Sequence, residues 1–590
     1  MSARSALLFA LAAVTIGCGE NGSPTVTITD LHVKQGDDGF FASGTFALHV
    51  AQPAEAAGPG AIKLHELDLD FGDSNGVQPH YMVSRLSGEP PGEVAPGDDV
   101  VSTIGFELNH SNGDSGDSSN ACATPSAFSL TGAYFDESAS AFFPVRSAPA
   151  WVAPAPLTGA TWSESLGDAG LDLEGDVAAF ADGSSVMVGS TSGTLDFSGK
   201  KLAVPQATSP FLVKLDPAGQ PLWSRYFTSS YIDPQVRVQG VHRVAAAPDG
   251  GAVVAGLLDG TLDLGGGSIT AAGDTDVFFA RFDAAGKHLE TRRLGDGLRQ
   301  TLLAIDVDAA GNVIVVGGTA GAIDFGADSL VAPILDPSFT SYFSARLPAA
   351  GAPIYARIPL AITVPTQLVA AAAADGAVVF GGAFTGKAWL GADPIVEKPA
   401  ETAFLEKLAA DGSLVWSTAI DGAVVLAVGL DQGDVVAAMT FGPSVLIGGK
   451  QMSGGPTGTL GLARFDPQGA LRSWLPIAAA PAASVTSLVI DSAGHALLAG
   501  HALDPHEITA LSAAAGAIGS SFFTEIDRDG LLVRAQAFGC SSWPVDLAVA
   551  RQGARDVILA STHEGAIDLG QGVVPSAGLT DLLVARLPAR

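Results

Sequence analysis

From about residue 160 to the C-terminus, apolar residues fall in short continuous runs, each stopped by a turn that ends in Gly. Runs of that kind, bounded by turn signals, are expected to be short strands. They recur as a unit of about 60 residues, written seven times. Each copy opens with an apolar run, a Gly turn and a second apolar run, as in Val177–Val188, Val244–Ala255, Ala304–Val316, Leu368–Phe380, Val424–Ala438, Leu488–Ala499 and Leu547–Ala560. The turn glycines (Gly183, Gly250, Gly311, Gly376, Gly433, Gly494 and Gly553) are 67, 61, 65, 57, 61 and 59 residues apart. A third run ends in a second turn, as in Phe211–Gly219, and a fourth follows, as in Gln220–Ser224. Four short strands per near-periodic repeat predict the blades of an all-β, seven-bladed β-propeller over residues 160–590.

The seventh copy stops at Ala585–Arg590, before its fourth strand, while Thr161–Gly167 stands alone ahead of copy one. Its Trp162-Ser163 matches the fourth strands Leu222-Trp223-Ser224 and Val415-Trp416-Ser417. The N-terminal strand is therefore expected to complete the last blade, which leaves no blade with a missing strand.

Residues 25–155 follow a different pattern. Strands are expected over Thr25–Lys34, Phe40–Ala51, Ile62–Phe71, Tyr81–Leu86, Val100–Leu108, Ala127–Phe135 and Ala141–Val145, a set that fits an immunoglobulin-like β-sandwich. Alternation changes phase at His65-Glu66 and again near Asp30, which predicts two bulges. The Pro-rich stretch Ser147–Pro156 reads as a semi-rigid spacer into the propeller. This segment holds about 17 acidic and 4 basic residues, within a whole-chain net charge of −31. That balance argues against nucleic acid and anionic surfaces as partners, since both select clustered Lys and Arg.

Residues 1–17 carry Arg4, an apolar stretch Ala6–Val14, and Gly17 just before Cys18. This is too short to span a membrane as a helix. It resembles a bacterial lipoprotein signal, which implies that Cys18 is lipidated and that the protein is anchored to the cell envelope, at the outer membrane or cell surface. Thr15 and Ile16 depart from that pattern, where Leu and a small residue are usual. Residues 18–24 then form a tether. Cys122 and Cys540 fall in different expected domains and read equally well as a pair or as separate thiols.

The repeats resemble the bacterial seven-bladed propeller repeat with its "DxxGN" turn, "F-x-x-K-L-D-x-x-G" strand and Trp-Ser strand. The matching pieces are Asp308–Asn312, Phe211–Gly219 and Val415–Thr418. The resemblance covers about residues 161–590 and implies a secreted or surface protein. The fourth strands also resemble quinoprotein repeats through Gly219–Trp223, but only Trp223 and Trp416 keep the Trp in register and no vicinal cysteine pair is present. These aromatics are expected to pack near the outer blade edge.

One charged position recurs on the third strand: Lys214, Arg281, Arg346, Lys407, Arg464, Glu525 and Arg586. An Asp follows the second strand in four copies (Asp196, Asp263, Asp324 and Asp568), and these are expected to pair with the bases and stitch the blades. Copies six and seven carry His506-Glu507 and His563-Glu564, weak candidates for a metal site on loops. Gly381–Lys387 matches the start of a phosphate loop, yet Ala388 stands where Ser or Thr should hold Mg²⁺. No catalytic residue, metal or cofactor is assigned. The function expected is a non-enzymatic envelope lipoprotein whose propeller binds or scaffolds a protein or polysaccharide through the connections Lys200–Ser209, Ser329–Thr340, Pro394–Thr402 and Leu503–Ser520. The alternative is a secreted propeller hydrolase or lyase acting on polysaccharide.

Overall fold

In the computed structural model the chain is all-β. The described residues run from 25 to 588, leaving out 36–40, 52–61, 74–80, 88–93, 111–125, 137–140, 204–208, 232–239, 332–338, 503–516, 539–544, 550–555, 575–579 and several shorter connections. Among them, no helix is long and apolar enough to cross a membrane.

The N-terminal part forms two antiparallel sheets. The first runs Thr25–Gln35, Phe41–Ala51, Asp99–His110, Tyr81–Ser87 in that spatial order. The second pairs Ile62–Asp73 with Ser126–Asp136, whose other edge pairs with Ala141–Arg146 and then Ala150–Pro154. Phe46, Leu48, Val50, Ile104 and Phe106 are buried on the first sheet. Register shifts fall between Thr29 and His32 and between His65 and Asp68, where the alternation changes phase. The expected spacer is different in kind. Ala150–Pro154 is a strand, and its end pairs in parallel with Ala517–Ile518 from the sixth repeat. Pro154 does not prevent this, because as the last residue of the strand it removes only one ladder donor.

The repeats form antiparallel meanders, numbered here one to seven in chain order. Unit one is Asp172–Ala179, Ser185–Thr191, Ser209–Leu215 and Pro221–Tyr226; unit two is Gly240–Ala246, Ala252–Leu258, Asp276–Phe282 and His288–Leu294. Units three and four share one seven-stranded sheet, Gln300–Val307, Val313–Thr319, Thr340–Leu347, Tyr355–Ala372, Val378–Leu390, Val396–Leu408 and Leu414–Asp421, in which Tyr355–Ala372 serves both units. Unit five is Ala423–Asp431, Asp434–Phe441, Thr459–Phe465 and Leu471–Ala479; unit six is Ala483–Ile490, Ala496–Ala502, Ser521–Ile526 and Leu532–Phe538. Unit seven is Val545–Val549, Val557–His563 and Asp581–Leu587, and its fourth strand is Trp162–Leu166, paired from Leu582↔Leu166 to Arg586↔Trp162.

Burial explains the unbroken apolar runs. Second and third strands are covered on both faces, so alternate residues join different cores. Val254 packs with Val186 and Val188 of unit one, whereas Val253 packs with Val313 and Phe343 of unit three. Each core joins two successive units, and one of them joins Ile558 and Val584 of unit seven to Met187 and Val213 of unit one.

In a meander the first and third connections emerge on one edge and the second on the opposite edge. The tight turns hold the first edge. Asp308 Oδ1 accepts from Ala310 N (2.8 Å) and Asn312 N (2.9 Å), and Gly311 takes φ +82°, which an L side chain adopts poorly. This is the physical content of the Asp-x-x-Gly-Asn pattern. The second edge carries more order than the sequence suggested. Small hairpins such as Thr194–Phe197/Lys200–Ala203 and Ser444–Ile447/Lys450–Ser453 lie between second and third strands. Gly381–Lys387 lies inside the strand Val378–Leu390, paired with a strand on either side and bulged between Phe384 and Gly386, so it is not a loop leading into a helix.

Candidate functional site

Cys18, His506, Glu507 and Glu564 lie outside the described residues, as do Cys122 and Cys540. His563 is described, and it is not on a loop. It ends a second strand, is buried, and its Nε2 lies 2.8 Å from Ser165 Oγ on the closing N-terminal strand. The His563 imidazole is thus a buried group engaged at the closing strand, not an exposed ligand.

The recurrent third-strand bases do stitch units together, but not through the expected acids. Asp196 meets Lys201 within its own hairpin, and Asp263 accepts from Gly265 N and Gly267 N in its own turn. Asp324 likewise sits on a hairpin strand, and the side chain of Asp568 lies outside the described residues. The bases instead reach the first-turn carbonyl of the next unit. Lys214 Nζ donates to Gly250 O (2.8 Å), Arg281 Nη1 to Gly311 O (2.8 Å), Lys407 Nζ to Gly433 O, and Arg464 Nη2 to Gly494 O (3.1 Å). Arg586 of unit seven donates to Gly183 O of unit one (3.3 Å) and is held by Asp556. Arg346 pairs with Asp308 of its own unit (Nε–Oδ2 2.6 Å) and donates to Ala410 O of unit four. Burial pushes the Lys214 and Lys407 ammoniums down, against the pull of Asp182 and Asp375 respectively.

Unit six breaks the rule by inverting its charge. Glu525 Oε1 lies 3.0 Å from His495 Nδ1, and Glu525 Oε2 lies 3.0 Å from Arg534 Nε. With Asp491 this brings three donor atoms within 4.8 Å of one another, the geometry a metal would need. The Arg534 guanidinium already supplies a cation at Glu525, so the group is a compensated charge cluster within unit six. Sequence reasoning saw Glu525 as an exception but not its partner His495, which occupies the position of Asn312 in the turn motif.

The fourth-strand aromatics make a second kind of link. Trp162 Nε1 donates to Pro217 O (3.0 Å), Trp223 to Ala284 O (2.9 Å) and Trp416 to Pro467 O (3.1 Å), in each case two residues before the second-turn Gly of the next unit. Each indole lies flat against that Gly: a Cβ added to Gly219, Gly286 or Gly469 would meet it at 2.8, 2.6 and 2.8 Å. Tyr355 covers Gly412 in the same way. Where the aromatic is replaced by Glu290 or Ser473, the facing Gly351 or Gly530 has nothing within 4 Å of an added Cβ. At the first of these junctions Arg292 reaches across and donates to Pro348 O and Ala349 O.

At the other, between units five and six, the place is open. A cavity of about 550 Å³ lies there, lined by Asp431, Arg464, Pro467, Arg472, Ser473 and Arg528 among others. Arg528 reaches back across the junction to Asp431, which Arg464 also holds. Burial opposes ionisation of Asp431, yet hydrogen bonds from Arg528 and Arg464 keep its carboxyl below the usual range. Arg472 lies 3.2 Å from Asp434. The charges of this cavity are thus mutually compensated, which suits it to hold a group rather than to move a proton.

No protein-family model matches the chain, and no curated protein matches it. Solved structures that resemble it include a protein of unknown function from Bacteroides caccae (12% identity, 59% of this chain and 89% of that one, TM-score 0.26). They also include a gluconolactonase from Xanthomonas campestris (12%, 64% and 90%, TM-score 0.28) and the WD40 domain of SCAP from fission yeast (10%, 72% and 98%, TM-score 0.31). Enzymes and non-enzymes stand side by side at scores of this size, which carry no functional information.

Proposed function

We propose that the protein is a cell-envelope lipoprotein in which a closed, seven-bladed propeller follows an immunoglobulin-like sandwich and acts as a rigid, non-enzymatic binding platform. The observation that carries this is the use made of the recurrent charges. The bases repeated from unit to unit donate to turn carbonyls of the neighbouring unit, from Lys214→Gly250 round to Arg586→Gly183, so they lock a ring and do not converge on a mouth. The inner strands point the same way: Asp176 accepts from the amides of Val177 and Val244, so it too serves the backbone. Support for the sandwich comes from strand order. In chain order its strands lie 1-2-5-4 in one sheet and 3-6-7 in the other, the ABED/CFG order of immunoglobulin constant domains.

Variable connections on a fixed scaffold are where binding resides, and the second-to-third strand connections differ most among the units. A glycan and envelope-protein binding screen with the full mature chain tests the platform. A ligand that survives intact and loses binding on replacement of the 503–516 connection agrees with the proposal, whereas turnover of a polysaccharide overturns it. Cys18→Ser should move the protein from the membrane to the soluble fraction; continued membrane retention overturns the anchor.

A further inference from the structure

The junction between units five and six is a socket without its plug. Among the described residues, the junctions of this series bring a fourth strand of one unit against the second turn of the next. At three of them an indole fills the gap and donates its N–H to the carbonyl two residues before the turn Gly, at 2.9–3.1 Å. At the junction of units five and six that carbonyl is Arg528 O, the Gly is Gly530, and the filling position is Ser473, which is exposed. The tryptophan has not been lost from the chain. It sits one residue on, at Trp474, and a one-residue step turns a strand side chain to the other face. Trp474 accordingly packs on Phe441, ring centroids 4.9 Å apart, inside the core of units four and five. Gly530 keeps φ +86°, like Gly469 at +87° and Gly219 at +82°, so the turn that elsewhere seats an indole is preserved.

We propose that this socket binds a planar aromatic group carrying a hydrogen-bond donor, above all the indole of a tryptophan presented by a partner peptide. The ring would lie on the Asp527–Gly530 turn and donate to Arg528 O, as Trp416 does to Pro467 O one unit earlier. Two guanidiniums line the socket, as Arg225 lies over the Trp223 ring at a filled junction. Arg528 stands where Pro217, Ala284 and Pro467 stand elsewhere, is itself held on Asp431, and offers a fixed cationic plane beside the ring. Arg472, about half exposed, stands at the entrance. The socket opens on the edge of the tight turns, opposite the variable connections, so it stands or falls independently of binding there.

The test uses the full chain and N-acetyl-tryptophanamide as the probe, with N-acetyl-leucinamide as the apolar control, read by ligand-observed NMR. A probe of this size binds a good site with a Kd in the millimolar range. Ser473→Trp supplies the missing plug, and Ser473→Phe supplies a ring without the donor. Both should weaken probe binding at least tenfold, and Ser473→Trp should also raise the melting temperature. Saturable binding of the tryptophan probe that both variants abolish, with the leucine probe silent, is the expected result. Binding that the filled variants leave unchanged, or no saturable binding by the unaltered protein, overturns the assignment. Retention of the melting transition in Ser473→Phe keeps the test valid should the bulkier variant misfold.

Discussion

Gly469→Ala should destabilise the protein several times more than Gly530→Ala, although the two glycines occupy the same turn position with φ of +87° and +86°. Backbone strain is common to both. A left-handed L residue costs about 1–2 kcal/mol, offset in part by the smaller entropy of the unfolded Ala chain, leaving roughly 1 kcal/mol. At Gly530 nothing further is met. At Gly469 the new methyl would stand 2.8 Å from Trp416 Cδ2 and 3.0 Å from its Cγ, against an optimum near 3.5–4.0 Å for carbon pairs. The indole must then leave its seat and lose the bond to Pro467 O (3.1 Å). Overpacking of this kind adds about 1–3 kcal/mol, for a total of roughly 2–4 kcal/mol. A double-mutant cycle isolates the contact. In a Trp416→Ala background, Gly469→Ala should cost only what Gly530→Ala does. The readouts are the thermal transition and native-state hydrogen exchange of Thr459–Phe465 and Leu471–Ala479, because a chain of this size need not unfold in one step. Equal costs at the two glycines, or an additive cycle, would refute the seating of the indole as an energetic link.

Other expectations concern closure and acid behaviour. Removal of residues 162–166 exposes the edge of Asp581–Leu587 and should lower the melting temperature and promote aggregation; an unchanged melting curve would count against the shared sheet. Arg586→Met removes the Arg586–Asp556 ion pair and one donor to Gly183 O, and should cost about 2–4 kcal/mol by equilibrium unfolding, against under 1 kcal/mol for Lys201→Met at an exposed pair. Asp172, between units one and seven, has its carboxyl pushed up to about 6 chiefly by burial, with Asp581 and Asp168 adding to the effect against hydrogen bonds that lower it. A carboxyl raised in the folded state stabilises the fold below its unfolded pKa and loses that contribution as pH climbs through the folded one. Stability should therefore fall between about pH 4 and 6 by roughly 2–3 kcal/mol, and Asp172→Asn should flatten that slope; the same pH profile in both proteins would refute it.

The features legible in the sequence are those that depend on side-chain type at fixed spacing. The Asp-x-x-Gly turn declares itself because an Asp that caps two amides and a Gly with positive φ are both needed, as at Asp308 and Gly311. The bulges at Asp30 and His65 show because a phase change in alternation has no other easy cause. The partners of Lys214 and Lys407 were hidden, since they are backbone carbonyls, which every residue possesses and no pattern marks. The acids Asp196 and Asp263 drew attention as the visible anions, but the hairpins that carry them were not foreseen. The socket at Ser473 is half visible in the sequence: Trp474 stands one place after the position that Trp223 and Trp416 hold, but its meaning requires knowing what the other tryptophans touch.

The pairing of Trp162–Leu166 with the far end of the chain also imposes a timetable. Thr161 and its hydrogen-bonding partner Arg586 are 425 positions apart, which at 5–20 residues per second amounts to roughly 20–85 s of synthesis. Throughout that interval the early strand waits without its mate while the units between them collapse one after another. Completion depends on Asp581–Leu587, so a chain terminated before that strand would be left with a permanently gaping seam that a protease can recognise.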